Sequence, residues 1–197
     1  MAVKEINRFE AAVCALESQK PYRGGILLCG SSTFARFPSD LVAAIAPDMV
    51  NHGFGGSTAE EALYYYPRLV APCEPRVLVW YEGDNDPHFG YTADRAFALS
   101  RRVWERARAD FPGLGLVLVG VKESRGEDEA NAVRRAYDRR LREYVRSRKF
   151  AAYVDLPAIA RKDGALEADG VHLTRSGYET LAEAIHTAIS EVDRGKL

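Results

Sequence analysis

Ile26-Leu27-Leu28-Cys29-Gly30-Ser31-Ser32-Thr33 is the stretch on which the reading of this chain turns. Four apolar residues run into a glycine and two serines. A buried strand ends this way when a hydroxyl is lifted from its carboxyl edge. Alone, the stretch also reads as an ordinary Ser-rich turn, because Gly and Ser are common turn residues. What flanks it decides between the two.

Short apolar runs alternate with amphipathic segments on both sides. Ile6, Phe9, Val13 and Leu16 recur at spacings of three and four and predict a helix over residues 4–19. Strand one covers 25–29. Ser39 or Asp40 caps a short helix through Ala46, which Pro47 closes, and a second strand covers 48–51. Gly53-Phe54-Gly55-Gly56 follows. Ser57 and Glu60 have capping-box spacing, so a helix begins there and runs to about Leu69. Strand three is Val77-Leu78-Val79-Trp80-Tyr81, ending at Gly83-Asp84-Asn85-Asp86. Further helices are predicted over 92–110, 128–147 and 175–192, the last capped by Thr174, with strands at 114–119 and 151–155.

Strands alternating with helices mean parallel βαβ units. Near-continuous apolar strands mean a sheet covered on both faces. Five strands are too few for an eight-stranded barrel. The expected fold is therefore a single domain over 1–197, an α/β three-layer α/β/α sandwich with strand order 2-1-3-4-5.

At 197 residues the chain can bury a substantial core, and its net charge of −1 argues against a nucleic-acid partner. No run approaches the roughly 18 apolar residues of a membrane span. The polar N-terminus lacks a secretory apolar region. Cys14, Cys29 and Cys73 are odd in number and widely spaced, as in a reduced, cytoplasmic protein. The basic run over 131–150 reads as a solvated helix face in preference to a polyanion-binding patch.

In an open parallel sheet, ligands bind beyond the carboxyl ends of the strands, at the switch point of strand order. The loops after strands one, two and three meet there. Gly53 to Gly56 lacks the third glycine of a dinucleotide fingerprint. It does leave amide donors at a helix start, the kind that stabilise an oxyanion. The Asn85 side chain adds a further donor. Asp84 and Asp86 have the look of a metal pair, but no matching ligand spacing follows, so solvated or turn-stabilising carboxylates are the expectation. No cofactor and no metal are expected.

A serine nucleophile needs a base, and the base an orienting partner. The candidates are His52, His88, His172 and His186. His186 falls inside the last helix, His52 beside the glycine run, and His88 after Pro87, where it could touch substrate. His172 differs. It lies in Asp169-Gly170-Val171-His172, where an Asp three residues earlier can hold Nδ1–H and leave Nε2 for a serine. The segment 157–168 is long enough to return to the switch point: an extended chain covers roughly 3.3 Å per residue. Phe34, Arg36, Phe54, Asp84, His88, Lys122, Ser124 and Arg125 are the expected cleft rim. Phe34, Phe54, Asp84 and His88 are taken as substrate contacts.

Gly30-Ser31-Ser32, Gly53 to Gly56, Gly83-Asp84-Asn85-Asp86 and Asp169-Gly170-Val171-His172, in that order, resemble the four blocks of the SGNH (GDSL-type) hydrolase superfamily. The resemblance spans residues 30–172 and implies a flavodoxin-like fold. It implies Ser32 as nucleophile, His172 as base, Asp169 as its orienting partner, and an oxyanion hole from the Ser32 and Gly56 amides and the Asn85 side chain. The activity implied is hydrolysis of a small-molecule ester or thioester, with acyl transfer or a non-catalytic binding module as alternatives. One departure stands out: Ser31 and Thr33 occupy positions where the common block has Asp and Leu.

Overall fold

The computed structural model describes residues 5–19 and 23–194. Five strands form one parallel sheet: β1 (Ile26–Gly30), β2 (Met49–Gly53), β3 (Val77–Tyr81), β4 (Gly115–Val119) and β5 (Ala151–Val154). Their order is β2-β1-β3-β4-β5, as expected. The helices are α1 (Glu10–Glu17), α2 (Ser32–Ala35), α3 (Ser39–Ile45), α4 (Ala59–Tyr64), α5 (Tyr66–Leu69), α6 (Ala93–Asp110), α7 (Asp128–Arg146), α8 (Leu156–Ala160) and α9 (Arg175–Arg194).

α3 and α9 pack together against the sheet, α9 across β3, β4 and β5. α4, α6 and α7 pack in sequence as a second layer, and α1 packs on α5. β1, β3 and β4 are buried at every position. That burial explains their unbroken apolar sequence. At about 25 cal/mol per Å² of apolar area, such central strands dominate the stabilisation of the sheet.

Gly30 pairs with Gly53 on one side and Tyr81 on the other. A Cβ at residue 30 would overlap the Tyr81 carbonyl oxygen. The glycine that ends the apolar run thus allows β1 to sit close to β3, where the first and third loops converge.

The sequence reading departs from the structure in several places: β2, expected over 48–51, runs on to Gly53, and the short α2 was not expected. The regular part of α1 starts at Glu10, because Arg8 and Phe9 turn aside to meet Glu61 and Phe54; residue 4 lies outside the described residues. The capping box is formed by Thr58 and Glu61, one residue later than expected, since the Ser57 hydroxyl is taken by Glu82. The helix expected to run to Leu69 is split at Tyr65, where Pro67 offers no amide to the Leu63 carbonyl. α8 was not expected either: it opens at Leu156, runs into the segment 157–168, and is capped by Asp155, whose Oδ1 accepts the Ala158 amide at 3.0 Å.

Candidate active site

The first loop is held from three sides. The Ser31 amide donates to the Tyr81 carbonyl at 3.0 Å. Asn51 on β2 donates its side-chain amide to the Phe34 carbonyl at 2.7 Å, and the Tyr178 hydroxyl on α9 donates to the Thr33 carbonyl at 3.0 Å. Ser32 opens α2 and is partly exposed, whereas Ser31 is fully buried. The two adjacent serines therefore differ in access: only Ser32 lines the cavity.

The second loop turns at Gly56, whose φ of 87° favours glycine. Arg8 donates to the Gly56 carbonyl at 2.8 Å and to Glu61 Oε1 at 2.5 Å. Ser57 follows, its hydroxyl donating to Glu82 Oε1 at 2.6 Å. Burial pushes the Glu82 carboxyl well above its ordinary range, and the nearby Asp84, Asp86 and Glu61 charges add to the effect.

The third loop carries Asp84 and Asn85. Asn85 Nδ2 donates to the Ser57 carbonyl at 2.9 Å and to Asp84 Oδ1 at 3.2 Å. Asp84 and Asp86 are buried, not solvated. Both stabilise local structure: Asp84 accepts the Ser31 hydroxyl at 2.7 Å, and Asp86 accepts the Ala59 amide at 3.3 Å.

The fourth loop is a tight turn. Asp169 Oδ1 accepts the amides of Val171 at 2.8 Å and His172 at 3.0 Å, and Oδ2 lies 2.6 Å from His172 Nδ1. The imidazole and these amides hold the Asp169 carboxyl well below the usual range. An ionised carboxylate only accepts, so Nδ1 carries the proton and Nε2 is the free nitrogen. The Glu167 amide donates to the His172 carbonyl at 2.8 Å, and the Arg125 amide to the Gly170 carbonyl at 3.2 Å, which tie the loop down.

Ser32, Gly56, Asn85 and His172 line one cavity of about 430 Å³. No direct Ser32–His172 hydrogen bond forms among the described residues, a common condition of an apo site. Asp84, His88, Arg36 and Ser124 share the lining, as expected from the sequence. Phe34 and Phe54 do not. Phe34 packs on Tyr81 at 5.7 Å, and Phe54 lies between Phe9 at 5.3 Å and Tyr65 at 6.1 Å. Each aromatic ring turns into the core from the end of its strand. Lys122 is buried beneath the rim; burial pushes its ammonium pKa down, while the charges of Asp84 and Asp169 pull it back. Arg125 lines a neighbouring depression. His52 is also buried, its Nδ1 2.7 Å from the Leu69 carbonyl, and His186 Nδ1 lies 3.0 Å from the Ile45 carbonyl.

Arg134 escapes the sequence reading. It is only 2% exposed, although it sits in the run read as a solvated face. Its Nε and Nη2 donate to the Asp84 carbonyl at 2.9 and 2.7 Å, Nη1 donates to Asn131 at 2.8 Å, and Nη1 pairs with Glu127 at 2.6 Å. Nη2 also lies 3.1 Å from His88 Nε2. His88 Nε2 also lies 3.5 Å from Glu127 Oε2, the oxygen that Arg134 Nη1 reaches. The signal was present in the spacing: Arg134 shares the inward face of α7 with Tyr137 and Leu141, three and seven residues on.

Fold and sequence together define the class. Residues 22–180 match the model of the GDSL-like lipase/acylhydrolase family, and the chain belongs to that family. It is accordingly a serine hydrolase acting on ester bonds. Solved structures share the fold at low identity. A GDSL-like lipase from Bacteroides thetaiotaomicron is 17% identical with a TM-score of 0.77, over 98% of this chain and 100% of its own. The catalytic domain of peptidoglycan O-acetyltransferase A from Streptococcus pneumoniae is 19% identical with a TM-score of 0.69, over 87% and 96%. An acetyl-xylooligosaccharide esterase from Geobacillus is 18% identical with a TM-score of 0.67, over 85% and 94%. No curated protein sequence matches the chain.

Proposed function

We propose that the protein hydrolyses a short-chain or sugar-linked acyl ester through an acyl-enzyme on Ser32. His172 Nε2 takes the hydroxyl proton as Oγ attacks the acyl carbon. Asp169 holds the imidazole in the required tautomer. The amides of Ser32 and Gly56 and the side chain of Asn85 receive the oxyanion. His172 then gives the proton to the leaving alcohol, and a water repeats the sequence to free the acid. The observation that carries this reading is the 2.6 Å Asp169–His172 pair, whose His172 lines the same small cavity as Ser32.

The lining favours a compact, polar substrate. Arg36, Asp84, His88, Glu127 and Arg134 bring charged and hydrogen-bonding groups to the lining of a cavity of about 430 Å³, beside Ala35 and Val171. Two fold relatives, the acetyl-xylooligosaccharide esterase and the peptidoglycan O-acetyltransferase, support a sugar-borne acyl group. No helix among the described residues is long and apolar enough to cross a membrane. A cytoplasmic location agrees with the free thiols of Cys14, Cys29 and Cys73.

A fluorophosphonate probe followed by peptide mass mapping tests the reading. The expected adduct is on Ser32; Ser32→Ala loses it and Ser31→Ala keeps it. An adduct on Ser31, or none on folded protein, would overturn the assignment.

A further inference from the structure

Gly53-Phe54-Gly55-Gly56 is mostly glycine, the residue with the most backbone freedom to lose. An oxyanion donor is effective because it is aimed before the charge develops. This loop therefore needs anchors. On its inner side the Phe54 amide donates to the Gly30 carbonyl at 2.9 Å, and the Ser57 amide donates to the Phe54 carbonyl at 3.3 Å. On its outer side stand Arg8 and Phe9. Phe9 packs edge-on against Phe54, the ring centroids 5.3 Å apart, and Arg8 Nη2 donates to the Gly56 carbonyl at 2.8 Å. Gly55 and Gly56 both line the site cavity, and neither amide meets an acceptor among the described residues.

We infer that Arg8 is the positioning residue of the Gly56 amide in the oxyanion hole, an inference that rests on the ester-hydrolase reading above. Arg8 is itself pinned. Its Nε and Nη2 donate to the two carboxylate oxygens of Glu61 at 2.5 and 3.2 Å. Glu61 is fully buried, and its Oε2 also accepts the Thr58 amide and hydroxyl at 3.0 and 3.1 Å. The guanidinium carbon lies 4.3 Å from the Phe9 ring centroid and 4.7 Å from that of Phe89, in the turn Asp86–Phe89. The planar fork is thus fixed on α4 and between two rings, with Nη2 reaching on to the loop.

The consequence falls on one peptide link. The Gly56–Ser57 peptide is bonded at both ends, its oxygen to Arg8 and its N–H to Phe54. The Phe54–Gly55 peptide is bonded through its oxygen. The link that carries the Gly56 amide, Gly55–Gly56, is therefore flanked on both sides by hydrogen-bonded peptides. Without Arg8 the far flank keeps only the 3.3 Å bond between Ser57 and Phe54. Arg8 and Phe9 also precede residues 22–180, the extent of the family match, so the site is steadied from outside it.

The test compares kcat, KM and thermal midpoint for p-nitrophenyl acetate hydrolysis in the wild type, Arg8→Ala and Arg8→Met/Glu61→Gln. Arg8→Ala is expected to lower kcat by about 10-fold with KM little changed, less than the roughly 10²–10³-fold loss on deleting an oxyanion donor outright. Added methylguanidinium, a free copy of the missing group, restores part of that kcat, and methylammonium does not. Arg8→Met/Glu61→Gln removes both charges and leaves no unpaired carboxylate buried, so its midpoint stays close to that of the wild type. Its kcat remains low, because the Gly56 carbonyl has lost its donor. Folded Arg8→Ala with wild-type kcat would overturn the inference, as would a loss confined to KM and the midpoint. Recovery with neither cation, or equally with both, counts against it in the same way. If Arg8→Ala does not fold, the double variant decides: wild-type kcat there means that Arg8 only neutralises Glu61. Turnover that survives Ser32→Ala, or a wild-type protein inert to every ester tried, overturns the hydrolase reading instead and this inference with it.

Discussion

Asp169 Oδ2 lies 2.6 Å from His172 Nδ1, while Oδ1 of the same carboxylate accepts the main-chain amides of Val171 and His172. One side chain therefore fixes both the turn and the ring that the turn presents. Asp169→Asn can place an N–H where His172 now donates, which favours the wrong tautomer. We expect kcat to fall by roughly 10²–10⁴-fold, the upper figure being that of the same change in a serine protease triad. The native carboxyl is held far below the ordinary range, so its stabilising contribution is present above the unfolded value and lost only in strong acid. The acid limb of kcat/KM in the wild type should accordingly not arise from Asp169. A carboxylate-like inflection that disappears in Asp169→Asn would contradict this.

Gly30 is the hinge between the sheet and the nucleophile loop. A Cβ there meets the Tyr81 carbonyl oxygen, which belongs to a central strand and cannot move aside. Gly30→Ala should cost about 3 kcal/mol, the upper end of the overpacking range. In a chain of this size each kcal/mol lowers the midpoint by roughly 2–4 °C. Thermal denaturation by circular dichroism measures it, and an unchanged midpoint would refute the close-packing argument.

The fold was legible because four of the five strands are short and apolar, β2 with its Asn51 and His52 being the exception. Val77–Tyr81 was read to the residue. Three of the candidate blocks were legible because each follows a strand end, where the backbone favours Gly; the fourth, Asp169 to His172, was legible from its spacing just before α9. What stayed hidden was mostly orientation. Phe34 and Phe54 follow strand ends as rim residues do, yet their rings turn inward, and local sequence does not encode that choice. Ser57 and Thr58 are equivalent as caps until Glu82, 25 residues on, claims one hydroxyl. Asp84 and Asp86 are charged residues in a glycine turn, for which solvent exposure was the natural expectation; their burial rests on Ser31, Ala59 and Arg134, contacts made across the fold.

Arg134 supplies a third measurable consequence. It is buried with its guanidinium fully engaged by Glu127, Asn131, His88 and the Asp84 carbonyl. Arg134→Met keeps much of the apolar stem but abandons every one of these partners. Breaking a buried pair by removing one member typically costs about 3–5 kcal/mol. Chemical denaturation should show a loss of that order. Arg135→Met, removing the exposed partner of Glu123, should cost at most about 1 kcal/mol. Equal losses in the two variants would show that burial of Arg134 carries no special weight.

Glu82 gives a test of pH dependence. Its carboxyl is fully buried, accepts the Ser57 hydroxyl, and is pushed well above the ordinary value of 4.5 by burial and by neighbouring carboxylates. The native protein thus holds a proton that the unfolded chain releases above that value. With more protons bound in the native state, stability falls as pH rises from 4.5 toward the raised native value. Glu82→Gln keeps the shape and an acceptor oxygen for Ser57 but has no proton to lose. The variant should gain on the wild type as pH rises from 5 to 8, by up to about 1.4 kcal/mol per pH unit for a single proton. Urea unfolding of both proteins across that range measures the difference. Parallel pH profiles would mean that Glu82 is ionised in the native state and that its charge is compensated within the fold.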